Sequence, residues 1–287
     1  ATREHMSRWA AAVFGSTAVA ACIATALAEI LGAALGLYIL LSIPVKIGLI
    51  LSTIFVILMN WFQQYRSLEK LIIAFVSLIG FAYLIELYIV KPNWGVAAVH
   101  AVVPELNSGS ILIAMGVLGA VVMPHNMYLH SEIIQSRQWS GKSERETRRL
   151  LRYEFMDTLL AMIIGMAINM AMVIVAAAVF HRHGVVVNEM TQASETLRPL
   201  AGQMAEVLFG VALLFSGLSS SMTAGVSGGI TISGYLGHAT DFGSKHFRWG
   251  IIVTLVPALI IALLIADTFK ALIISQVCLS VQLPLTM

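Results

Sequence analysis

Long stretches of this 287-residue chain contain no Asp, Glu, Lys or Arg, and this segregation of charge limits the folds open to it. A helix needs about 18 to 20 apolar residues to cross the hydrocarbon core of a bilayer. Six uncharged runs reach that length: 9–28, 47–65, 106–131, 158–180, 207–237 and 249–266. A seventh run, 71–85, reaches it by continuing to Val90 with Glu86 near an interface, and an eighth, 271–287, extends to the last residue. We therefore predict a single transmembrane domain over residues 1–287, with seven complete helices and a truncated eighth.

The composition supports the same conclusion. With 59% hydrophobic and 11% charged residues, the chain has too little polar surface to cover a soluble globule of its size. In lipid, backbone N–H and C=O groups are satisfied only by helices or by a closed barrel. The runs do not alternate between polar and apolar residues as barrel strands do, so we predict an all-α, polytopic transmembrane helical bundle.

The basic residues predict how the chain is oriented. Seven crossings place alternate loops on opposite sides, and twelve Lys and Arg residues then share the side of the N-terminus, against five on the other side. An excess of Lys and Arg marks cytoplasmic loops, so the N-terminal side and the 137–152 loop are predicted to face the cytoplasm. The net charge of +2 gives no reason to expect a nucleic acid partner. Cys22 and Cys278 lie in apolar runs and are interpreted as inert thiols.

The segment 116–131 places polar groups in the middle of an apolar run. Pro124 has no N–H, so in a helix the carbonyl of Ala120, four residues earlier, loses its donor. The thioether of Met123 lies near the same face, followed by the imidazole of His125. A free carbonyl and a soft sulfur are plausible ligands for a transition-metal ion. The alternative is a simple proline kink, with Met123 filling the core and the histidines hydrogen-bonded between helices.

The sequence from Met123 to Ser131, Met-Pro-His-Asn-Met-Tyr-Leu-His-Ser, resembles the sixth-helix signature of the Nramp family of proton-coupled Mn²⁺/Fe²⁺ transporters. Residues 24–29 with 32–34 resemble the third helix of that family, 216–221 its eighth and 275–277 the opening of its tenth. The resemblance implies a LeuT-like inverted-repeat fold with a broken sixth helix. It also implies that the chain covers helices three to ten, without the family's N-terminal helices.

The resemblance further implies site residues and partners. Ala120, through its carbonyl, and Met123 would bind the ion, and Gln276 would approach it in the occluded state. His125, His130 and Glu29 would lie near the proton route. The ion is the substrate and no cofactor is implied. The expected surroundings are the lipid bilayer of a bacterial inner (plasma) membrane, and no obligate protein partner is evident.

Several positions of this sequence depart from the family pattern, and these departures leave alternative functions open. The Asp-Pro-Gly-Asn motif of the family's first helix is absent, so we expect these residues alone not to transport. Val19 and Ala26 stand where proton-coupled members have acids, and an arginine pair is missing near Gly250. A secondary transporter for Mn²⁺ or Fe²⁺ is therefore predicted, with weak coupling to protons. A Mg²⁺ transporter without coupling and another LeuT-fold permease, such as one for amino acids, remain alternatives.

An enzyme is not predicted. Adjacent His130 and Ser131 on one helix cannot form a nucleophile–base hydrogen bond, and no orienting acid is evident. A non-transporting structural subunit stays open.

Overall fold

The computed structural model describes residues 6–62, 65–103, 105, 107–136, 143–184, 187, 203–238, 240, 243–265 and 267–286. Within these residues the protein contains ten α-helices, a short 3₁₀ helix (His181–His183) and no strand. The α-helices are α1 (Arg8–Leu41), α2 (Val45–Phe62), α3 (Tyr65–Val90), α4 (Trp94–Val102), α5 (Ile111–Val121), α6 (Pro124–Ser136), α7 (Glu144–Val179), α8 (Gln203–Leu236), α9 (Lys245–Leu264) and α10 (Thr268–Thr286).

Eight segments of the described chain are long and apolar enough to cross a membrane. They correspond to α1, α2, the part of α3 from Ile73, α5 and α6 taken together up to Glu132, and each of α7 to α10. The predicted all-α transmembrane bundle is confirmed. The division into seven complete helices and a truncated eighth stays a prediction. Helix α4, with nine residues and none of them buried, was not predicted from the sequence.

The centre of the molecule is the contact between α1 and α8, which approach each other closely because glycines face the partner backbone. A Cβ atom built on Gly36 would lie 2.6 Å from the Leu214 nitrogen, and one built on Gly217 would overlap the backbone at Ala33. Along α8, small residues repeat every four positions at Gly217, Ser221, Gly225 and Gly229, a spacing that permits such close helix packing. Around this contact α2 and α9 complete a core that includes Ile30, Leu49, Met222, Phe247 and Leu255.

Polar caps fix several helix ends. Ser143 and Glu146 form a capping box at the start of α7: the Glu146 N–H donates to Ser143 Oγ (3.4 Å), and the Ser143 N–H donates to Glu146 Oε2 (3.0 Å). The prediction of a loop over 137–152 is therefore wrong from residue 144 onward, where the capped helix begins. Residues 137–142 lie outside the described residues.

The link between α9 and α10 also carries a local charge interaction. The Lys270 N–H donates to Asp267 Oδ1 (3.0 Å), and the Lys270 ammonium lies 3.0 Å from Asp267 Oδ2. The backbone hydrogen bond from Lys270, followed by the contacts with its side chain, lowers the pKa of Asp267. The carboxylate therefore stays ionised at the start of α10, where the helix dipole favours negative charge.

Candidate metal centre

The apolar run that contains the Met-Pro-His sequence is interrupted in the middle. Helix α5 ends at Val121, Val122 leaves the helical conformation at φ −103° and ψ 76°, and α6 begins at Pro124. The Val122 N–H still donates to the Leu118 carbonyl (2.9 Å), and the Asn126 N–H donates to the Met123 carbonyl (3.1 Å). Ala120 has no helical donor four residues later, because that residue is Pro124. The predicted broken helix is confirmed, and the interruption is larger than a proline kink.

Helix α10 packs directly against α5 just before this break. A Cβ atom on Gly119 would overlap the carbonyl oxygen of Gln276, and the Ser280 hydroxyl donates to the Met115 carbonyl. Gln276 is buried, and its Oε1 has no hydrogen-bond partner within the described part of the chain. The fold therefore brings Gln276 beside the residue that precedes Ala120, with an amide oxygen available to a ligand.

His125, the second residue of α6, faces α1. Its side chain is fully buried, and Nδ1 lies 3.3 Å from the Thr25 hydroxyl oxygen. The other ring nitrogen, Nε2, has no partner among the described residues. Glu29 follows Thr25 by one helical turn on α1 and is partly exposed. The structure thus places His125 and Glu29 on neighbouring elements and adds Thr25, which the sequence reasoning did not identify.

His130 lies apart from this cluster. Its ring is half exposed, and Nε2 lies 3.8 Å from Oε1 of Glu154, a largely buried residue of α7. Two positions further along α6, the Glu132 carboxylate accepts a hydrogen bond from the Thr240 hydroxyl. The sequence around Glu154 or Thr240 does not predict that either residue contacts α6. Both contacts join residues distant in sequence.

The candidate ligands are of three kinds: the backbone carbonyl of Ala120, the thioether of Met123 and the side-chain amide of Gln276. Ala120 and Met123 are partly buried. Among the described residues there is no cluster of three or more His, Cys, Asp or Glu that could hold a metal ion. The candidate ligands among the described residues are thus oxygen and sulfur atoms, a set that is predicted to suit a partly soft cation.

Two crystal structures of a manganese transporter from Eremococcus coleocola resemble this chain. A crystal structure of a manganese transporter from Eremococcus coleocola matches with a TM-score of 0.80 at 24% identity, covering 98% of this chain and 63% of that one. Another, in complex with an aromatic bis-isothiourea substituted compound, matches with a TM-score of 0.75 at 25% identity. The fold and its interrupted helix therefore define an integral membrane protein of the LeuT-like class.

Within that class the chain belongs to the natural resistance-associated macrophage protein-like (Nramp) family, whose sequence profile matches residues 1–287. It is 39% identical over 272 residues to the divalent metal cation transporter MntH of Caldanaerobacter subterraneus subsp. tengcongensis, covering 94% of this chain and 63% of the relative. It is 37% identical over 292 residues to the MntH of Granulibacter bethesdensis, covering 99% and 64%. The resemblance to Nramp proteins is confirmed. The chain spans slightly under two thirds of the length of these relatives.

Proposed function

We propose that this chain forms the ion-binding part of a secondary transporter for divalent transition-metal cations of the Mn²⁺ and Fe²⁺ class. The observation that carries the proposal is the break between α5 and α6, which leaves the Ala120 carbonyl without a helical donor beside Met123, while the adjoining Gly119 packs against Gln276. The names of the similar proteins, divalent metal cation transporter and manganese transporter, support the same substrate class.

The three ligands have distinct roles in this proposal. The Ala120 carbonyl supplies a hard oxygen that is fixed by the end of α5. Met123 supplies a soft, polarisable sulfur that favours transition metals over Mg²⁺ and Ca²⁺. Gln276 supplies an amide oxygen from α10, and its burial keeps competing water away from the ion. Together they select for ions that accept both oxygen and sulfur.

These ligands leave room for others, because an octahedral ion takes about six. We infer that a second broken helix and water complete the coordination, since inverted-repeat transporters hold their substrate between two discontinuous helices. One such helix is visible within the described residues. We propose in addition that the N-terminal side faces the cytoplasm of a bacterial inner membrane, from the twelve-to-five distribution of basic residues.

A Mg²⁺ transporter without proton coupling is the second candidate, and one contact favours it. His125 faces the neutral hydroxyl of Thr25, and the next residue on α1 is Ala26, so no carboxylate is supplied at these two positions. Met123 is the argument against this candidate, because a hard cation gains little from a thioether.

The test is ion binding by the full-length protein and its Met123→Ala variant, measured by calorimetry. We expect Mn²⁺ and Cd²⁺ affinity to fall about tenfold or more, while Mg²⁺ affinity changes little, because even outer-shell partners are worth about 10- to 100-fold at metal sites. Met127→Ala is the matched control, since Met127 is an exposed methionine of α6 with no proposed ligand role. Equal losses for soft and hard ions would reduce Met123 to a packing residue and remove the main argument against Mg²⁺.

A further inference from the structure

Helix α7 is longer than a membrane crossing requires. Its 36 residues extend over about 54 Å at 1.5 Å per residue, against a hydrocarbon core of about 30 Å. Its uncharged part begins at Thr158, so residues 144–157 occupy the headgroup region or the adjoining water. This projecting segment plays no part in the proposed metal centre.

The projecting segment carries four exposed arginines on one face. Arg145, Arg148, Arg149 and Arg152 follow the i, i+3, i+4, i+7 spacing, which places them in an arc of about 100° on the helix. Arg145 also stands in the first turn of the helix, where the dipole disfavours positive charge. The sequence therefore concentrates cations at a position where the helix itself does not stabilise them.

The acidic residues nearby leave most of this charge uncompensated. Glu144 pairs with Arg148, 2.7 Å between Oε1 and Nη2, and Glu146 is engaged in the cap with Ser143. Glu154 is largely buried, on the side of the helix that faces away from the arginines. Among the described residues, Arg145, Arg149 and Arg152 form no ion pair. Arg149 instead lies over the Tyr153 ring, 5.5 Å from its centroid.

The same face continues into the membrane as exposed apolar side chains. Met156, Leu159 and Ile163 follow Arg152 at helical spacing, with 45%, 40% and 48% of their surfaces exposed. The opposite side of α7 is the packed one: Ile168 contacts α3 at Gly80, and Ala171 belongs to a buried cluster with Ile79 and Tyr83. The exposed face of α7 thus carries arginines at one end and apolar side chains along the rest. A phospholipid, with an anionic headgroup and an apolar acyl chain, complements this pattern.

We propose that this face of α7 binds an anionic phospholipid. Its phosphodiester headgroup contacts Arg145, Arg149 and Arg152, and its acyl chain lies along Met156, Leu159 and Ile163. Guanidinium groups suit this ligand because they donate two parallel hydrogen bonds to phosphate oxygens. The proposal does not depend on the transported ion. It differs from a purely topological role of the arginines, which requires positive charge but no bound lipid.

The test is native mass spectrometry of the full-length protein in detergent, titrated with phosphatidylglycerol or with phosphatidylcholine of the same acyl chains. The parent protein is expected to retain phosphatidylglycerol preferentially, and added salt is expected to weaken the retention. Arg145→Gln/Arg149→Gln/Arg152→Gln is expected to lose affinity for phosphatidylglycerol by about tenfold or more, since each basic residue near an anionic lipid surface contributes favourably. Retention of phosphatidylcholine should not change.

Three controls keep the result interpretable. Arg8→Gln/Lys46→Gln/Lys91→Gln removes the same charge from exposed positions on α1, on α2 and just after α3, and it should retain the lipid. Substituting Lys at the three arginines should keep most of the binding and all of the charge that sets topology. If the triple Gln variant does not fold, Arg149→Gln alone should show a partial loss. Equal phosphatidylglycerol binding by the parent and the Gln variants, or no lipid preference in the parent, would overturn the proposal.

Discussion

Gly119 lies at a close contact between α5 and α10. A Cβ atom there would overlap the Gln276 carbonyl oxygen and lie 2.9 Å from Ser280 Oγ. A side chain at this position must therefore push the two helices apart, and Gln276 moves with α10. The positions of the proposed ligands Ala120 and Gln276 therefore depend on the absence of a side chain at Gly119.

We therefore expect Gly119→Ala to lower both stability and metal affinity. Overpacking a tight contact typically costs about 1–3 kcal/mol, which should appear as a lower melting temperature in detergent. Mn²⁺ affinity should fall as well, because the Gln276 amide is displaced. Gly165→Ala on α7 is the matched control, since a Cβ atom there meets nothing within 4 Å. If Gly119→Ala lowers stability but leaves Mn²⁺ affinity unchanged, Gln276 is not a ligand of the ion.

Thr25 shows what sequence reasoning misses at the scale of single residues. Its hydroxyl contacts a histidine a hundred positions away, and nothing local to either residue indicates the pair. The Glu154 and Thr240 contacts with α6 have the same character. Pairings of this kind depend on how helices pack, so only a family resemblance or a structure can supply them. The ligand roles of Ala120, Met123 and Gln276 stay predictions.

At the scale of elements, the sequence predicted most of the architecture because charge-free runs and membrane thickness determine it. The break was predicted too, although proline alone is not the reason. Pro257 lies inside α9 and Pro284 inside α10, and both helices continue through them. What distinguishes Pro124 is the polar sequence that follows it, whose side chains contact α1, α7, α10 and the segment after α8. These contacts stabilise α6 as a separate helix.

Pro124→Ala tests whether the break exposes a ligand. A restored N–H at this position can donate to the Ala120 carbonyl and so compete with the ion for that oxygen. We expect Mn²⁺ affinity to fall by about tenfold, the lower end of the range for losing an outer-shell partner at a metal site. Pro257→Ala in α9, measured by the same calorimetry, should leave affinity unchanged. Full affinity in Pro124→Ala would show that the Ala120 carbonyl is not a ligand.

At the scale of the whole molecule, the proposed orientation depends on the distribution of basic residues. In a protein with Cys22 and Cys278 replaced by Ala, we expect Glu144→Cys to react with a membrane-impermeant maleimide only after the cells are opened. Lys91→Cys, exposed near the end of α3, should react in intact cells. The opposite labelling pattern would show that the orientation is the reverse of the proposed one. The lipid proposed to bind α7 would then come from the other leaflet.

The weak proton coupling predicted for the full-length protein is also a property of the whole molecule. A proton relay in lipid needs titratable side chains within direct or water-bridged reach of one another. Val19 and Ala26 supply none, His125 faces the Thr25 hydroxyl, and His130 faces Glu154 of α7 instead of the cluster at Glu29. Among the described residues, no hydrogen bond or ion pair joins His130 to His125 or to Glu29.

Coupling to protons would also be energetically unnecessary for the proposed transport. A divalent ion that moves down a potential of 100 mV gains about 2 × 2.3 kcal/mol, enough for roughly a thousandfold accumulation. We therefore expect proteoliposomes that contain a pH dye to take up Mn²⁺ under a potassium diffusion potential with little acidification. A protonophore should leave the uptake rate unchanged when a potassium ionophore clamps the potential. Acidification in proportion to Mn²⁺ entry would contradict uniport, and Glu29→Gln, His125→Ala and His130→Ala would then show which of the three residues carries the proton.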